Sequence, residues 1–161
     1  MIVIVMGVVG AGKTTIGNLL AAQLGWEFAD ADDFHPQSNV EKIRNGIPLN
    51  DDDREPWLDR LRAAILDWIA SHRSEVLACS ALKRAYRAKL RAGREVRFVY
   101  LKGSATLIAD RLRARHGHFA GEAILASQLA DLEEPEDALT VPISESPEQI
   151  VADIRKGLNL E

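Results

Sequence analysis

The chain has 161 residues, of which 47% are hydrophobic and 27% charged, and its net charge at pH 7 is −4. This size predicts a single domain, residues 1–161, whose core needs no covalent or metal staple. The composition is typical of a soluble protein, and the negative net charge argues against a nucleic-acid partner. The single cysteine, Cys79, cannot form an intrachain disulfide, so the cytoplasm is the expected compartment.

The first 25 residues combine three features in a fixed order. Residues 1–6 are an unbroken apolar run, which predicts a strand buried on both faces and is too short to span a bilayer. Residues 7–14, GVVGAGKT, match every fixed position of the phosphate-binding loop, or P-loop, pattern. Apolar residues then recur at helical spacing until Gly25, a predicted helix cap. Strand, loop and helix together predict a binding site for nucleotide phosphates.

The P-loop predicts specific contacts with ATP and Mg²⁺. Its glycines allow successive backbone amides to converge on a phosphate at the helix N-terminus. Lys13 is expected to reach the β- and γ-phosphates, and the Thr14 hydroxyl is expected to bind Mg²⁺. The predicted nucleotide-binding residues of this segment are Gly7, Val8, Val9, Gly10, Ala11, Gly12, Lys13, Thr14 and Thr15.

The remaining chain alternates between strand and helix patterns. Further strands are predicted over residues 26–30, 75–79, 96–101 and 139–143, and helices over about 35–46, 50–69, 81–91, 105–115, 124–132 and from 146 onward. Residues 116–124 break the periodicity and predict a mobile loop. The alternation predicts a three-layer α/β fold, with a five-stranded parallel sheet and helices on both faces. Ligands are expected at the carboxyl ends of the strands.

Two acids follow the second predicted strand. Asp30 and Asp32 are two residues apart, so on an extended chain both would face one site. The third strand ends at Ser80 without the aspartate that many P-loop ATPases place there, which favours a small-molecule kinase. Asp30 is therefore predicted to hold Mg²⁺ through water, and Asp32 to bind the acceptor hydroxyl and take its proton. Either acid could instead cap the next helix, a role for which Asp33 is favoured.

Longer segments resemble the gluconokinase family. They are DADDFHP at residues 30–36, GIPLNDDDREPWL at 46–58, CSALKRAYR at 79–87, RHGHF at 115–119 and SQ at 127–128. The resemblance implies an ATP- and Mg²⁺-dependent D-gluconate kinase, related in fold to shikimate and adenylate kinases and commonly a homodimer. Ala31, where the family usually has glycine, and Ala120-Gly121, in place of a Met-Pro-like pair, are departures that bear on a lid at about residues 115–125.

Further site residues follow from the matched segments. The predicted substrate-binding residues are Asp32, His35, Arg54, Ser80, Lys83, Arg87 and His118. Arg54, whose planar guanidinium suits a carboxylate or vicinal hydroxyls, is the predicted substrate anchor, although it could pair with Asp51 or Asp53 instead. Lys83 and Arg87 could also belong to a solvated basic face.

Two lid arginines complete the prediction. Arg111 is expected on the nucleotide and Arg115 on the transferring phosphoryl group, although both could form a solvated helix flank. The predicted catalytic residues are thus Lys13, Asp32 and Arg115.

Two alternatives remain open from the residues. One is a kinase for another small polyol acid, such as a shikimate-like acceptor, motivated by Ala31 and the altered lid. The other is a nucleotide-gated RNA-binding module, motivated by the basic segment at residues 83–91. The net acidity and the paired Asp30 and Asp32 argue against the second.

Overall fold

A computed structural model describes residues 1–116 and 120–160 of the chain. Its centre is a parallel sheet of five strands in the order β2-β3-β1-β4-β5. The strands are β1 (Ile2–Met6), β2 (Glu27–Asp30), β3 (Glu75–Ala78), β4 (Val96–Lys102) and β5 (Leu139–Pro142). Ile4 of β1 is in register with Leu77 of β3 on one side and with Phe98 of β4 on the other. The predicted α/β fold and all five strands are confirmed.

Helices cover the sheet between the strands. They are α1 (Lys13–Leu24), α2 (Gln37–Arg44), α3 (Asp51–Ala70), α4 (Arg84–Leu90), α5 (Ala105–His116), α6 (Ala120–Asp131) and α7 (Pro147–Gly157), with a short 3-10 turn at Ala31–Phe34. Asn50 caps α3 through a reciprocal capping box with Asp53, and Ser146 caps α7 by accepting a hydrogen bond from the backbone N–H of Gln149. Gly25 ends α1 in the left-handed conformation, with φ of 68°, as its position predicts.

The apolar run of β1 supplies side chains to both faces of the sheet. Val3 and Val5 pack with Leu20 of α1, in a cluster that also takes residues from α5 and α7. Ile2, Ile4 and Met6 pack in a second cluster, formed mainly with α3 and α4. Successive side chains of a strand point to opposite faces, so a central strand covered on both sides must be apolar throughout.

Two predicted boundaries differ from the structure. The basic helix begins at Arg84 rather than near Ala81, because Ala81 has a φ of 45°, outside the helical region. The loop predicted over residues 116–124 is wrong for 120–124, since α6 already begins at Ala120. Residues 117–119, which include His118, lie outside the described residues.

The fold gathers the carboxyl ends of three adjacent strands at one edge. β1 ends at Met6 before the P-loop, β2 ends at Asp30, and β3 ends at Ala78, two residues before Ser80. Because all strands are parallel, these ends lie on the same side of the sheet. Among the described residues, no helix has the length and apolar character needed to cross a membrane.

Candidate active site

The P-loop is shaped for close approach of a phosphate. Gly10 and Gly12 have φ of 81° and 98°, values that side chains other than glycine rarely adopt. A Cβ at Gly10 would also lie 2.9 Å from Cγ of Leu112 on α5, so the loop packs directly against that helix. Lys13 opens α1, and the helix N-terminus therefore presents its unpaired amides at the loop.

Lys13 shares its surroundings with the two predicted acids. Its ammonium donates to the Val8 carbonyl oxygen at 3.1 Å, within the P-loop itself. Burial lowers the pKa of Lys13, and electrostatic interactions with Cys79, Asp32 and Asp30 oppose this shift. The carboxylates of Asp30 and Asp32 therefore lie close enough to the P-loop to interact electrostatically with the Lys13 ammonium.

Asp30 and Asp32 lie at a turn rather than along one extended strand. One carboxylate oxygen of Asp30 accepts a hydrogen bond from the backbone N–H of Asp32 at 3.0 Å and so caps the 3-10 turn. The expectation that Asp33 is the cap is therefore wrong. Burial, followed by the charge of Asp30, raises the pKa of Asp32, while Lys13 opposes the shift. The turn gives Asp32 an increased proton affinity beside the P-loop.

Trp57 stabilises the 3-10 turn that carries Asp32. The indole Nε1–H of Trp57 donates to the carbonyl oxygen of Ala31 at 2.7 Å, and both residues are buried. The Trp57 ring also stacks on His35, with centroids 4.6 Å apart. Trp57 therefore positions two predicted site residues. The apolar stripe of the helix gives no indication of this hydrogen bond.

Asn39 sets the orientation of the His35 ring. Its buried amide nitrogen lies 3.2 Å from Nδ1 of His35 and donates to the Asp53 carbonyl oxygen at 2.7 Å. Burial, together with the charge of Arg54, lowers the pKa of His35 and favours the neutral ring. With Nδ1 accepting from the amide, the ring proton is on Nε2. Sequence reasoning missed Asn39, for which the chain carries no local signal.

Arg54 belongs to a small polar network. Its guanidinium donates to the Tyr86 hydroxyl at 2.9 Å and lies 3.7 Å from a carboxylate oxygen of Asp51. The Tyr86 hydroxyl in turn donates to Asp51, and the Lys83 ammonium lies 3.1 Å from the same oxygen. Tyr86, which sequence reasoning also missed, thus orients the predicted anchor. The predicted alternative, an ion pair between Arg54 and Asp51, is therefore also found, although its 3.7 Å separation is long.

These elements surround a cavity of about 530 Å³ beside the P-loop. It brings together four of the predicted substrate-binding residues, Asp32, His35, Arg54 and Ser80. The other lining residues are Ile43, Gly46, Ile47, Pro48, Leu49, Trp57, Leu82, Tyr86, Ala123, Ile124, Ser127, Gln128 and Asp131. Lys83 and Arg87 do not line the cavity, and His118 is outside the described residues.

The Arg87 guanidinium binds backbone carbonyl oxygens of the protein itself. Its buried guanidinium donates to the carbonyl oxygens of Ala81, Leu82 and Glu133 at 2.7, 3.0 and 2.7 Å. These bonds fix the irregular segment after β3 to the end of α6. Because three of its five N–H groups are used in this way, and because the residue is buried and does not line the cavity, the geometry favours a structural role over the predicted binding role.

A second cavity, of about 290 Å³, lies against the P-loop. It is lined by Gly10, Gly12, Thr15, Arg111 and Arg115, together with residues of the segment after β5. Arg111 donates to the Ile143 carbonyl oxygen at 2.6 Å, and Arg115 is exposed. The two cavities share no lining residue and so provide separate spaces for a donor and an acceptor.

The residues predicted for Mg²⁺ fit this ion's usual coordination. Mg²⁺ in kinases is bound by one or two protein oxygens, several waters and the substrate phosphates, rather than by a cage of side chains. Thr14 is exposed in the first turn of α1, and Asp30 retains oxygen lone pairs beyond the one used at the turn. Among the described residues, no cluster of three or more His, Cys, Asp or Glu forms a metal site.

Comparison with known proteins places this geometry in a family. The shikimate kinase family model matches residues 9–154. The gluconokinase of Gluconobacter oxydans (strain 621H) is 47% identical over 135 residues, covering 83% of this chain and 76% of that protein. The thermoresistant gluconokinase of Escherichia coli (strain K12) is 42% identical over 165 residues, covering 97% of this chain and 94% of that protein.

A solved structure agrees over nearly the full length. The crystal structure of a gluconokinase from Sinorhizobium meliloti 1021 superposes with a TM-score of 0.85 at 41% identity, covering 98% of this chain and 90% of that one. Sequence similarity at this level and coverage extends over the P-loop, the Asp32 turn and the Arg54 helix together. The chain therefore belongs to the gluconokinase family of P-loop kinases.

Proposed function

We propose that this protein transfers the γ-phosphoryl group of ATP to the 6-hydroxyl of D-gluconate, giving 6-phospho-D-gluconate and ADP. The observation that carries the proposal is the cavity in which Asp32 and Arg54 stand beside the P-loop, in a chain at 40–47% identity to gluconokinases. In this cavity Arg54 provides a cation that can bind a carboxylate, and Asp32 provides a proton acceptor. An aldonic acid presents the matching groups.

The donor is assigned to the P-loop side. The Lys13 ammonium and the P-loop amides that have no protein acceptor bind the phosphates, with Arg111 beside the nucleotide. The amides of Gly7, Val9 and Ala11 are not among them, because they donate to oxygens of Ser80, Gln128 and Val8. Thr14 and Asp30 would hold Mg²⁺, which neutralises charge on the β- and γ-phosphates when bound. On binding, the Lys13 ammonium exchanges its carbonyl partner on Val8 for phosphate oxygens. Arg115 is assigned to the charge that develops on the transferring group.

The acceptor is assigned to the larger cavity. Arg54, oriented by Tyr86, binds the gluconate carboxylate, and the Nε2–H of His35 and the Ser80 hydroxyl bind hydroxyl groups along the chain. The 6-hydroxyl lies against Asp32. Its oxygen forms a bond to the γ-phosphorus as the bond from that phosphorus to the β–γ bridging oxygen breaks, and its proton passes to Asp32.

Closure of the acceptor cavity is part of the proposal. Three large apolar side chains at this cavity are about half exposed: Ile43 at 54%, Ile47 at 49% and Ile124 at 50%. Ile43 is in the last turn of α2, Ile47 follows that helix, and Ile124 is on α6, within the predicted lid at about residues 115–125. A polar sugar acid does not need apolar contacts at this position. Packing of these side chains against one another on closure would exclude water, which competes as an acceptor.

A coupled ADP-release assay tests the function. Gluconate should support turnover, whereas shikimate, AMP and glucose should not exceed the ATPase background. The position of transfer follows from the ³¹P signal of the product, because an ester at the 6-CH₂ couples to two protons and an ester at any other carbon couples to one. Absence of gluconate-dependent ADP release, or a one-proton coupling, would refute the proposal.

A matched pair of lysine variants controls the assay. Lys13→Met should abolish turnover through loss of the phosphate contact. Lys156→Met makes the same change at an exposed position in the last turn of α7 and should leave turnover unchanged. Equal activities of the two variants would contradict the P-loop assignment.

The family resemblance also leads us to propose a cytoplasmic homodimer. Sedimentation velocity at several protein concentrations tests the association. A single species with the 17.7 kDa mass of one chain would contradict it.

A further inference from the structure

Gln128 joins the P-loop to the acceptor cavity. Its side-chain Oε1 accepts a hydrogen bond from the backbone N–H of Val9 at 2.6 Å, across 119 residues of sequence. The same side chain lines the larger cavity, next to Ser127. Gln128 therefore lies at the junction of the two sites, where a phosphoryl group must pass from one to the other.

Hydrogen bonds tie the end of α6, the helix that carries Gln128, to the segment after β3 and to α4. Just beyond α6, the backbone N–H of Glu133 donates to the Leu82 carbonyl oxygen at 2.8 Å, and its own carbonyl oxygen accepts from Arg87 at 2.7 Å. The Glu133 carboxylate also accepts from the backbone N–H of Arg84 at 3.0 Å. These three bonds hold the end of α6 in place. Because Gln128 is on α6, these bonds also help to fix its position.

The bond to Val9 determines which way the Gln128 amide faces. A backbone N–H can only donate, so the carbonyl oxygen of the side chain must be the atom that faces the P-loop. The Nε2 group, with two N–H donors, then points away from Val9. Within residues 1–116 and 120–160, no hydrogen-bond partner of this Nε2 is found, although the side chain is half-buried. A preorganised donor is left at the cavity without a protein acceptor.

We propose that the Gln128 Nε2 group donates a hydrogen bond to a non-bridging oxygen of the phosphoryl group during its transfer. This assignment rests on the proposed kinase function. Charge on the transferring group is spread over its equatorial oxygens, so a neutral donor placed there stabilises the transition state more than the bound substrates. The bond to Val9 keeps the amide in this orientation before the substrates arrive, so no reorganisation is needed during the reaction.

Two substitutions separate this role from a purely structural one. Gln128→Glu keeps an oxygen that can accept from the Val9 N–H, but it replaces the donor with a negative charge. Gln128→Met has a similar length and no donor. If the residue only fixes the P-loop, Gln128→Glu should be nearly as active as the wild type. If it donates to the phosphoryl group, kcat should fall in both variants, by about 100-fold for loss of one preorganised donor, and further in Gln128→Glu.

The readout is the division between kcat and the binding constants. We expect KM for gluconate and Kd for ATP to stay within about threefold of the wild type in Gln128→Met, because the donor acts in the transition state. In Gln128→Glu the added carboxylate also repels the ATP phosphates and raises the Kd for ATP. Gln23→Glu is the matched control, since it makes the same change at the exposed end of α1, beside Arg155, and should leave kcat unchanged. Thermal unfolding of each variant shows whether the fold is retained.

Three results would overturn the assignment. An unchanged kcat in Gln128→Glu, a rise in KM for gluconate without a fall in kcat, or, in Gln128→Met, a weakening of ATP binding that accounts for the whole loss would each exclude a contact with the transferring group. Absence of gluconate-dependent turnover in the wild type would instead refute the proposed function, and the assignment with it.

Discussion

Replacement of Trp57 by phenylalanine tests whether the turn under Asp32 is held by the indole N–H. In the structure this N–H donates to the Ala31 carbonyl oxygen at 2.7 Å, and Trp57 and Ala31 are only 4% and 1% exposed. Phenylalanine can still stack on His35 but cannot donate to this carbonyl. Loss of one hydrogen bond costs about 0.5–1.5 kcal/mol in the free energy of unfolding. For a protein of this size, each kcal/mol lowers Tm by about 2–4 °C.

Trp68 provides the matched control for this substitution. It is on the same helix and 8% exposed, packs in the same core cluster, and its indole makes no hydrogen bond within the described part of the chain. Trp68→Phe therefore removes a similar ring area without breaking a bond. We expect Trp57→Phe to lower Tm by roughly 1–6 °C more than Trp68→Phe does. Calorimetry measures both values under identical conditions.

The same pair should differ in kinetics. Because Ala31 and Asp32 belong to one 3-10 turn, loss of the anchor should let the carboxylate move away from the acceptor hydroxyl. We expect kcat/KM for gluconate to fall in Trp57→Phe and to stay near the wild-type value in Trp68→Phe, because small displacements of a reacting group are costly. Equal Tm values within about 1 °C, or equal kcat/KM values, would refute the anchoring role.

Three further predictions concern the site and its surroundings. Asp32→Asn should lower kcat by about 10²–10⁴-fold while ATP still binds, because the proton acceptor is lost. Since burial and then Asp30 raise the pKa of Asp32, wild-type kcat/KM should fall with decreasing pH at values above the ordinary carboxyl range, and a pH-independent wild-type rate would argue against this base. Arg54→Lys should raise KM for gluconate about tenfold through loss of bidentate binding, and Tyr86→Phe should raise it less; unchanged KM in both would move the anchor elsewhere. Burial raises the pKa of the Cys79 thiol to about 12, so this residue should react with a thiol reagent at pH 8 only after unfolding, as followed by mass spectrometry.

Patterns local in sequence predicted most of the fold and part of the site. The apolar run of β1, the P-loop glycines and the cap at Gly25 correspond to the observed elements because each depends on neighbouring residues. Asp32, His35, Arg54 and Ser80 were also predicted to bind the acceptor, and they line one cavity. Their roles there remain predictions until the assays above are done.

The residues that support these side chains could not be predicted in the same way. Trp57 and Tyr86 lie at apolar positions of helical stripes, so their pattern indicates only burial. Their polar atoms find partners 26 and 35 residues away, at Ala31 and Asp51. Hydrogen bonds of this kind depend on where whole elements meet in space, which a periodic pattern does not encode.

The amino-acid sequence by itself determined that a phosphate cradle follows a buried strand, that two acids follow the next strand, and that the chain alternates between strands and helices. Only the tertiary structure decided which hydrogen-bond partner each polar side chain takes. It assigned Asp30 to the cap of the 3-10 turn, Arg87 to three carbonyl oxygens and Gln128 to the Val9 amide. The physical reason is that a buried or half-buried polar group takes the nearest suitable partner, and distance in space is set by packing of the sheet and helices.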